Sequence, residues 1–233
     1  MNLNKTKIEY LDYTVNLIVG CSGIGCAVRK KCWAMRMAKR KKHKCSLCYT
    51  FTPHFHLERM NEPLELKKPS RIGLNFMGET FDTAFLNVES ITYYSEMLWM
   101  IEKAPQHMFL ILTKQPQNIP DSLVFPDNVW LGVTVNRTAD LWRIEELKKK
   151  KAKVKFVSFE PLYENLGNID FKCIHWIIIG AQTRPTFLPM PQWIDSIVEQ
   201  AKQRQIPIFF KDNLPLGYPN KIGEEFPKVV EGV

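Results

Sequence analysis

Residues 108–135, MFLILTKQPQNIPDSLVFPDNVWLGVTV, carry the pattern that decides the fold class. Two apolar runs lie in this stretch, at residues 108–112 and 129–135, and neither alternates between apolar and polar residues. Continuous apolar runs that include β-branched and aromatic residues are typical of strands buried on both faces, as the strands of a parallel sheet are. The stretch therefore predicts two strands of a parallel sheet.

Further apolar runs of the same kind occur on both sides of this stretch, at residues 14–19, 71–76, 154–159, 176–180 and 206–210. The segments between the runs carry apolar residues at helical spacing, as Leu141, Ile144 and Leu147 do. Strands and helices therefore alternate along the chain. This alternation predicts an α/β fold, either a doubly wound sheet or a complete or partial (β/α) barrel of six or seven parallel strands.

Two segments do not follow the alternation. Residues 43–70, which contain His, Pro and Cys, are predicted to be an insertion, and residues 213–233, which contain three prolines, are predicted to be an irregular tail. The 45% of hydrophobic residues fits one large domain as well as two small ones, and a single domain over residues 1–233 is the simpler expectation.

The sequence has no run of about 18 uncharged apolar residues, and its first ten residues lack the layout of a secretion signal. We therefore expect a cytoplasmic protein that does not act in a membrane and whose thiols are reduced. Under reducing conditions, a group of cysteines indicates a metal site or a catalytic site rather than a disulfide framework.

The net charge of +8 is concentrated in the first part of the chain. Residues 1–70 hold fourteen Lys and Arg against five Asp and Glu, whereas the rest of the chain is nearly neutral. A local positive field suits a nucleic acid, a nucleotide or another anionic ligand. A solvated helix face would account for the same charges.

Residues 20–48, GCSGIGCAVRKKCWAMRMAKRKKHKCSLC, contain five of the six cysteines. Lys and Arg surround these thiols, and nearby positive charge lowers a thiol pKa and favours the thiolate form that binds metals. Cys21, Cys26 and Cys32 follow a predicted strand with the spacing C-x4-C-x5-C. Three thiolates on one loop can hold three irons of a [4Fe–4S] cluster and leave the fourth iron open to a ligand.

Zinc is the alternative metal. An acceptable four-thiolate zinc spacing is formed by Cys21, Cys26, Cys45 and Cys48. A mixed site could instead combine Cys45 and Cys48 with His54 or His56. These two histidines flank one residue, so that in an extended segment they share a face and could both bind a metal. Spacing alone does not separate iron–sulfur from zinc.

Most of the predicted strands are followed by a polar or charged residue. In α/β folds of both kinds, chemistry is located at the C-terminal ends of the strands. The residues in question are Glu79, Lys114, Asn136, Glu160, Gln182 and Lys211. We expect them to meet at a common mouth, where Asn136, Glu160 and Lys211 in particular could bind a cofactor, although salt bridges between strands would explain their positions equally well.

Seven blocks of the sequence resemble, in the same order, a phage and prokaryotic radical-SAM-like family of uncharacterised function. The blocks are GC…C…CWAMRMAKR, PHFHLERMNEPLELKKPSRIGLNFMGETFD, PQHMFLILTKQP, NVWLGVTV, KFVSFEPL, HWIIIGAQT and PIFFKDN. The resemblance covers roughly residues 9–213, and the layout is more distantly similar to that of spore photoproduct lyase.

The resemblance implies a partial TIM-type barrel with a [4Fe–4S] cluster on its three-cysteine loop and S-adenosylmethionine (SAM) on the open iron. Gly78 and Glu79 occupy the place of the turn that receives the methionine amine of SAM in radical-SAM proteins. The implied reaction is reductive cleavage of SAM to an adenosyl radical. The substrate class that we expect is a nucleic acid or a nucleotide, bound through the basic residues 1–70.

Two other functions stay open at this point, because C-x4-C-x5-C differs from the C-x3-C-x2-C that the family and its wider superfamily favour. The first is a zinc-stabilised nucleic-acid-binding module without turnover. The second is a cluster-bearing protein that works only with a partner protein.

Overall fold

The structure, a computed structural model, describes residues 3–41, 45–86, 88–215 and 225–227. The strands are β1 (Asn4–Lys5), β2 (Tyr13–Val15), β3 (Ile18–Val19), β4 (His54–Phe55), β5 (Arg71–Leu74), β6 (Met108–Thr113), β7 (Val129–Thr134), β8 (Val154–Phe159), β9 (Trp176–Ile179), β10 (Gln182–Thr183), β11 (Thr186–Phe187) and β12 (Ile208–Phe210). The α-helices are α1 (Trp33–Ala38), α2 (Ser46–Thr50), α3 (Glu62–Glu65), α4 (Val88–Glu102), α5 (Trp142–Lys149) and α6 (Pro191–Gln203).

Eight strands form one sheet in the order β1-β2-β5-β6-β7-β8-β9-β12. All neighbours are parallel except β1, which pairs antiparallel with β2 at the edge. The parallel strands follow one another in chain order, whereas a doubly wound sheet reverses its order at a switch point. The α/β class and the single domain are confirmed, and the order is that of a partial (β/α) barrel.

The two faces of the sheet pack differently. One face packs against residues of the long helices, such as Met97, Ile144 and Ile197. The other face forms its own cluster, in which Trp130, Phe156 and other aromatic residues of successive strands meet. A doubly wound sheet would have helices on both faces, so this concave aromatic face, called the inner face below, also indicates a partial barrel.

Six of the seven predicted apolar runs form one strand each, and the run at residues 14–19 is divided. Asn16 accepts a hydrogen bond from the Met77 backbone N–H at 2.8 Å, and Asn75 accepts one from the Ile18 N–H at 2.8 Å. These side chains replace ladder hydrogen bonds, so that β2 stays in the main sheet while β3 pairs with β4. Ile18 lies opposite Phe55 and Val19 opposite His54.

The predicted insertion, residues 43–70, is therefore tied to the strand that precedes the first cysteine. It contains α2, β4 and α3, and its residues 43 and 44 lie outside the described residues. Of the predicted tail, residues 216–224 and 228–233 lie outside them too. Phe226, which is described, stacks on Trp176 with ring centroids 5.4 Å apart and thereby covers part of the inner face.

None of the helices in the described part of the chain has the length and apolar content needed to span a bilayer.

Candidate functional site: the barrel mouth and a Cys/His cluster

The C-terminal ends of β7 and β8 place polar side chains on the inner face. Trp130 belongs to the inner cluster, and a Cβ on Gly132 would lie 2.4 Å from the ring of Phe156 in the same cluster. Side chains alternate along a strand, so Thr134 also faces inward, as does its cross-strand partner Ser158. The mouth of the partial barrel is therefore polar where the aromatic residues end.

Several oxygen atoms at this mouth are buried without a hydrogen-bond partner among the described residues. They are Thr134 Oγ1, Asn136 Oδ1, Ser158 Oγ and Glu160 Oε1. A buried polar atom without a partner costs about 1–3 kcal/mol, and native proteins contain few of them. Their concentration at the ends of two neighbouring strands indicates a site for a polar ligand.

The predicted residues Glu160 and Lys211 form an ion pair at this mouth. Glu160 Oε2 lies 3.1 Å from Lys211 Nζ, which also lies 3.3 Å from Glu9 Oε2. Burial raises the pKa of the Glu160 carboxyl, and Lys211 opposes that shift. A Cβ on Gly180 would lie 2.9 Å from Glu160 Cγ and 3.0 Å from Lys211 Cδ, so the absence of a side chain there makes room for the pair.

Asn136, the third residue predicted to bind a cofactor, is fully buried after β7. Its Nδ2 donates to the Pro161 carbonyl at 2.8 Å and thereby joins the ends of β7 and β8. Lys114 and Gln182 also follow their strands as predicted. The Gln182 side chain forms hydrogen bonds to nearby groups: it accepts from the Tyr163 hydroxyl and donates to the Pro185 carbonyl.

Gly78 and Glu79 lie beside the start of the cysteine loop. Gly20 and Gly78 form a parallel β-bridge, and the Glu79 N–H donates to the Gly20 carbonyl at 3.2 Å. A Cβ on Gly78 would lie 2.9 Å from the carbonyl oxygens of Ile18 and Gly20. Any side chain here would therefore clash with the backbone, and glycine avoids the clash. The structure thus brings the two predicted features, the loop and this turn, together.

Glu79 is buried and accepts hydrogen bonds from two residues at the end of β6. Thr113 Oγ1 donates to Oε1 at 2.5 Å, and the Lys114 N–H donates to Oε2 at 2.9 Å. Burial raises the pKa of this carboxyl, and the hydrogen bonds from Thr113 and Lys114 oppose the rise. Glu79 therefore joins the ends of β5 and β6, and its contact with a cofactor amine stays a prediction.

The three-cysteine loop is held at several points by buried side chains. Asp82 Oδ2 accepts from the Ser22 N–H at 2.7 Å and from the Ser22 hydroxyl at 2.9 Å. Arg143 donates to the Gly25 carbonyl and to the Thr134 carbonyl, both at 2.8 Å. The loop is thus tied to the end of β7, where two of the unpartnered oxygens lie.

The Cys21 thiol combines a buried position with a nearby cation. Arg29 donates to the Cys21 carbonyl at 2.9 Å and approaches its Sγ at 3.4 Å. Burial raises the pKa of the Cys21 thiol to about 11, and Arg29 opposes the rise. Cys21 and Cys32 pack against one small cluster around Ala34. Within the described residues, the thiols of Cys21, Cys26 and Cys32 are not gathered into a single-ion site, and a four-iron cluster would require wider spacing than one ion does.

Cys45, Cys48, His54 and His56 form the group of donor atoms that could hold one metal ion, with all four atoms within 4.8 Å of one another. Phe51 directly follows the last residue of α2 and has a left-handed φ of 60°, after which the chain returns as β4. The two histidines share a face as predicted, with their Nε2 atoms 3.0 Å apart. The four-thiolate alternative requires Cys21 and Cys26 beside Cys45 and Cys48. Among the described residues, these four thiols do not form a group that could hold one metal ion.

Three side chains that position the candidate sites were missed by the sequence analysis. Arg143 and Asp82 act on a loop that lies more than fifty residues away along the chain, and neither stands out in a local pattern. Glu58 carried a usable signal, because it follows His56 by two residues and accepts from its Nδ1 at 2.6 Å.

Several exposed cations lie close in sequence to an exposed aromatic residue that follows the cysteine loop. Trp33, which directly follows Cys32, is 49% exposed. The exposed cations near it in the sequence are Lys30, Lys31, Arg36, Lys39 and Arg40. The described part of the basic segment therefore combines positive charge with one aromatic surface, as nucleic-acid-binding surfaces do.

A family model described as "Protein of unknown function (DUF5131)" matches residues 5–216, which include the sheet, the cysteine loop and the Cys/His cluster. No curated protein and no solved structure matches the chain. Since the match covers most of the 233 residues, the chain belongs to the DUF5131 family.

Proposed function

We propose that this protein is an iron–sulfur enzyme of the radical-SAM type, with Cys21, Cys26 and Cys32 as cluster ligands and SAM bound in the barrel mouth. One observation carries the proposal: the cysteine loop is tied to the end of β7, where Thr134 and Asn136 carry two of the unpartnered oxygens. Arg143 connects the two directly, since it bonds both to the Thr134 carbonyl and to the Gly25 carbonyl between two of the cysteines.

The unpartnered oxygens of the mouth fit a ligand such as SAM, which carries hydrogen-bond donors. The hydroxyl, amide and carboxylate oxygens that lack partners can all accept hydrogen bonds. SAM offers an ammonium group and two ribose hydroxyls as donors, and a ligand that satisfies buried acceptors recovers part of their desolvation cost. The Glu160 carboxylate also suits a cationic ligand, although Lys211 already neutralises part of its charge.

The chain would hold and orient this chemistry. A [4Fe–4S] cluster supplies the electron for SAM cleavage when it is bound. Arg29 opposes the burial that raises the pKa of the Cys21 thiol, and Asp82 fixes the next residue of the loop. The small Gly78 permits close approach of backbone beside the first cysteine.

For the substrate, we infer a nucleic acid that reaches the mouth along α1. The exposed Trp33 can stack on a base, and the neighbouring cations can contact phosphates. Because Trp33 directly follows Cys32, a base stacked there would lie beside the proposed cluster.

Anaerobic purification and reconstitution test the cluster. We expect about four irons and four sulfides per chain, and release of deoxyadenosine when dithionite and SAM are added. Cys32→Ala should abolish both, whereas Cys173→Ala, which changes an exposed cysteine far from the loop, should change neither. A chain that takes up zinc but no iron under these conditions would contradict the proposal.

The second candidate is a zinc-stabilised nucleic-acid-binding module without turnover. The specific observation in its favour is the closeness of the four donor atoms of the Cys/His cluster, which needs no iron. It predicts salt-dependent nucleic-acid binding by a zinc-loaded, iron-free chain, and no deoxyadenosine release.

A further inference from the structure

We propose that Cys45, Cys48, His54 and His56 bind one structural zinc ion, and that this ion fixes the strand pair from which the cysteine loop begins. The zinc site does not depend on the iron–sulfur proposal. It concerns different ligands and would exist in a protein that never binds iron.

The first argument is the spacing of the donor atoms. Cys45 Sγ lies 3.4 Å from His54 Nε2, and Cys48 Sγ lies 3.5 Å from His54 Nε2 and 3.2 Å from His56 Nε2. Zinc–sulfur bonds of about 2.3 Å and zinc–nitrogen bonds of about 2.0 Å, arranged as a tetrahedron, require sulfur–nitrogen separations of about 3.5 Å. The donor atoms therefore already lie along the edges of a zinc tetrahedron.

The second argument is the orientation of the imidazoles. His54 Nδ1 lies 2.7 Å from the Thr52 carbonyl, and His56 Nδ1 lies 2.6 Å from the Glu58 carboxylate. Both partners accept, so each ring carries its proton on Nδ1 and presents the lone pair of Nε2 to the other ligands. An outer carbonyl or carboxylate of this kind is the usual support of a metal-binding histidine.

The cysteines are arranged in a matching way. Cys45 precedes α2, and its Sγ accepts a hydrogen bond from the Cys48 N–H at 3.3 Å. This contact fixes the position of the Cys45 sulfur at the start of α2. Cys48 and His56 are buried, so that a bound ion would be largely shielded from water.

The ligand set identifies the ion and its role. Two thiolates and two imidazoles at tetrahedral spacing are the donor set of structural zinc sites. Four protein ligands leave no open position for a substrate or a water molecule, which separates this site from a catalytic one. The ion would instead connect α2 to β4.

That connection extends to the cysteine loop. Val19 pairs with His54, and the His56 N–H donates to the Leu17 carbonyl at 2.7 Å. Phe51, at the end of α2, packs in the same cluster as Cys21 and Cys32. An ion that fixes β4 and α2 therefore also fixes the backbone that leads into Cys21.

Metal content and thiol protection test the site on the full chain. We expect about one zinc per chain, and cobalt substitution should give the tetrahedral absorption bands and thiolate charge-transfer bands of a site with two thiolates. Cys48→Ser should weaken zinc binding by at least about tenfold, because loss of a ligand costs more than loss of an outer hydrogen-bond partner, which already costs about 10–100-fold in affinity. The triple variant C21A/C26A/C32A should keep its zinc. Unchanged zinc content in Cys48→Ser would overturn the assignment.

Alkylation of the unmutated chain keeps the test valid if Cys48→Ser does not fold. In the iron-free protein, zinc should protect Cys45 and Cys48 from iodoacetamide, while Cys173 reacts at the same rate with and without zinc. Equal labelling of Cys45 and Cys48 in both states would also overturn the assignment.

Hydrogen exchange tests the positioning role separately. Removing zinc with a chelator should speed exchange of the His56 amide and of the Gly20 amide, which donates to the Met77 carbonyl, by at least about tenfold. Amides of β7 and β8 should exchange unchanged. If zinc protects the thiols but exchange at Gly20 and His56 does not change, the ion binds without positioning the loop, and the second half of the proposal is wrong. Iron content does not enter any of these outcomes.

Discussion

Val19 and His54 lie directly opposite each other in the two-stranded antiparallel pair of β3 and β4. The segment that leads into Cys21 and the segment that carries the two histidines of the Cys/His cluster are therefore one structural unit. The arrangement places the Cys/His cluster and the cysteine loop on two segments that pair with each other.

Gly78→Ala should disrupt the contact between this unit and the main sheet. The added methyl group would lie 2.9 Å from two backbone carbonyl oxygens, and backbone cannot move aside as a side chain can. Overpacking of this kind costs about 1–3 kcal/mol of unfolding free energy, which urea denaturation measures.

Gly167→Ala is the control for that substitution. Gly167 has a φ of 65° and open space around its Cβ position, so its cost is that of backbone strain alone, about 1 kcal/mol. A Gly78 variant as stable as the Gly167 variant would show that the Gly20–Gly78 contact can relax.

Arg143→Met should be among the most destabilising single changes. The guanidinium is 1% exposed, pairs with Asp140 at 3.0 Å and bonds two carbonyls, so that its loss leaves the buried carboxylate with only the half-exposed Arg137, 3.7 Å away. Breaking a buried pair in this way costs about 3–5 kcal/mol.

The matched substitution is Arg204→Met, which removes a half-exposed arginine that lies 3.6 Å from Asp170. Exposed pairs contribute about 0–1 kcal/mol, and urea denaturation of both variants measures the difference. Equal losses in the two variants would mean that water reaches Asp140 when Arg143 is removed.

Ser158→Ala and Thr134→Val should separate ligand binding from folding. Each removes a buried hydroxyl that has no partner among the described residues, so the fold should be unchanged or more stable by up to about 1 kcal/mol. If the mouth binds SAM, the same variants should weaken SAM binding measured by calorimetry on the anaerobically reconstituted protein.

Thr113→Val gives the comparison for those two variants. Its hydroxyl donates to the buried Glu79 at 2.5 Å, and its removal should destabilise the fold by about 1.5–3 kcal/mol because the acceptor is charged. A loss of stability in Ser158→Ala equal to that in Thr113→Val would show that the Ser158 hydroxyl is satisfied within the protein.

Trp33→Ala should weaken binding of single-stranded DNA. Stacking of one base on an aromatic side chain contributes about 1–3 kcal/mol, which corresponds to a loss of about 5- to 150-fold in affinity by fluorescence anisotropy. Trp99 on α4 is 47% exposed, close to the 49% of Trp33, and Trp99→Ala should leave affinity unchanged.

The salt dependence of DNA affinity is a second test of the same surface. Affinity of the unmutated chain should fall as salt rises, because the cations beside Trp33 displace counterions from the phosphates. Equal affinity in the Trp33 and Trp99 variants, or affinity independent of salt, would remove α1 from the nucleic-acid hypothesis.

The strands and long helices were predictable because their signals are local. Runs such as residues 129–135 and the spacing of Leu141, Ile144 and Leu147 are recorded within a few residues of sequence, and β7 and α5 appear where they predict. The division of the run at residues 14–19 was not predictable. It depends on the Asn75 side chain, which accepts a hydrogen bond from the Ile18 backbone N–H, 57 residues away along the chain.

The sequence by itself determined the α/β class, the parallel strands and a set of residues able to bind metals, because apolar periodicity and residue chemistry are properties of the chain. Only the tertiary structure decided that the strands follow chain order in one partial barrel. It also decided that Cys45 and Cys48 meet His54 and His56 rather than Cys21 and Cys26. Spacing permits several ligand sets, and the left-handed turn at Phe51 together with the pairing of β3 and β4 selects one of them, since donor atoms bind an ion together only where the backbone brings them within a few ångströms.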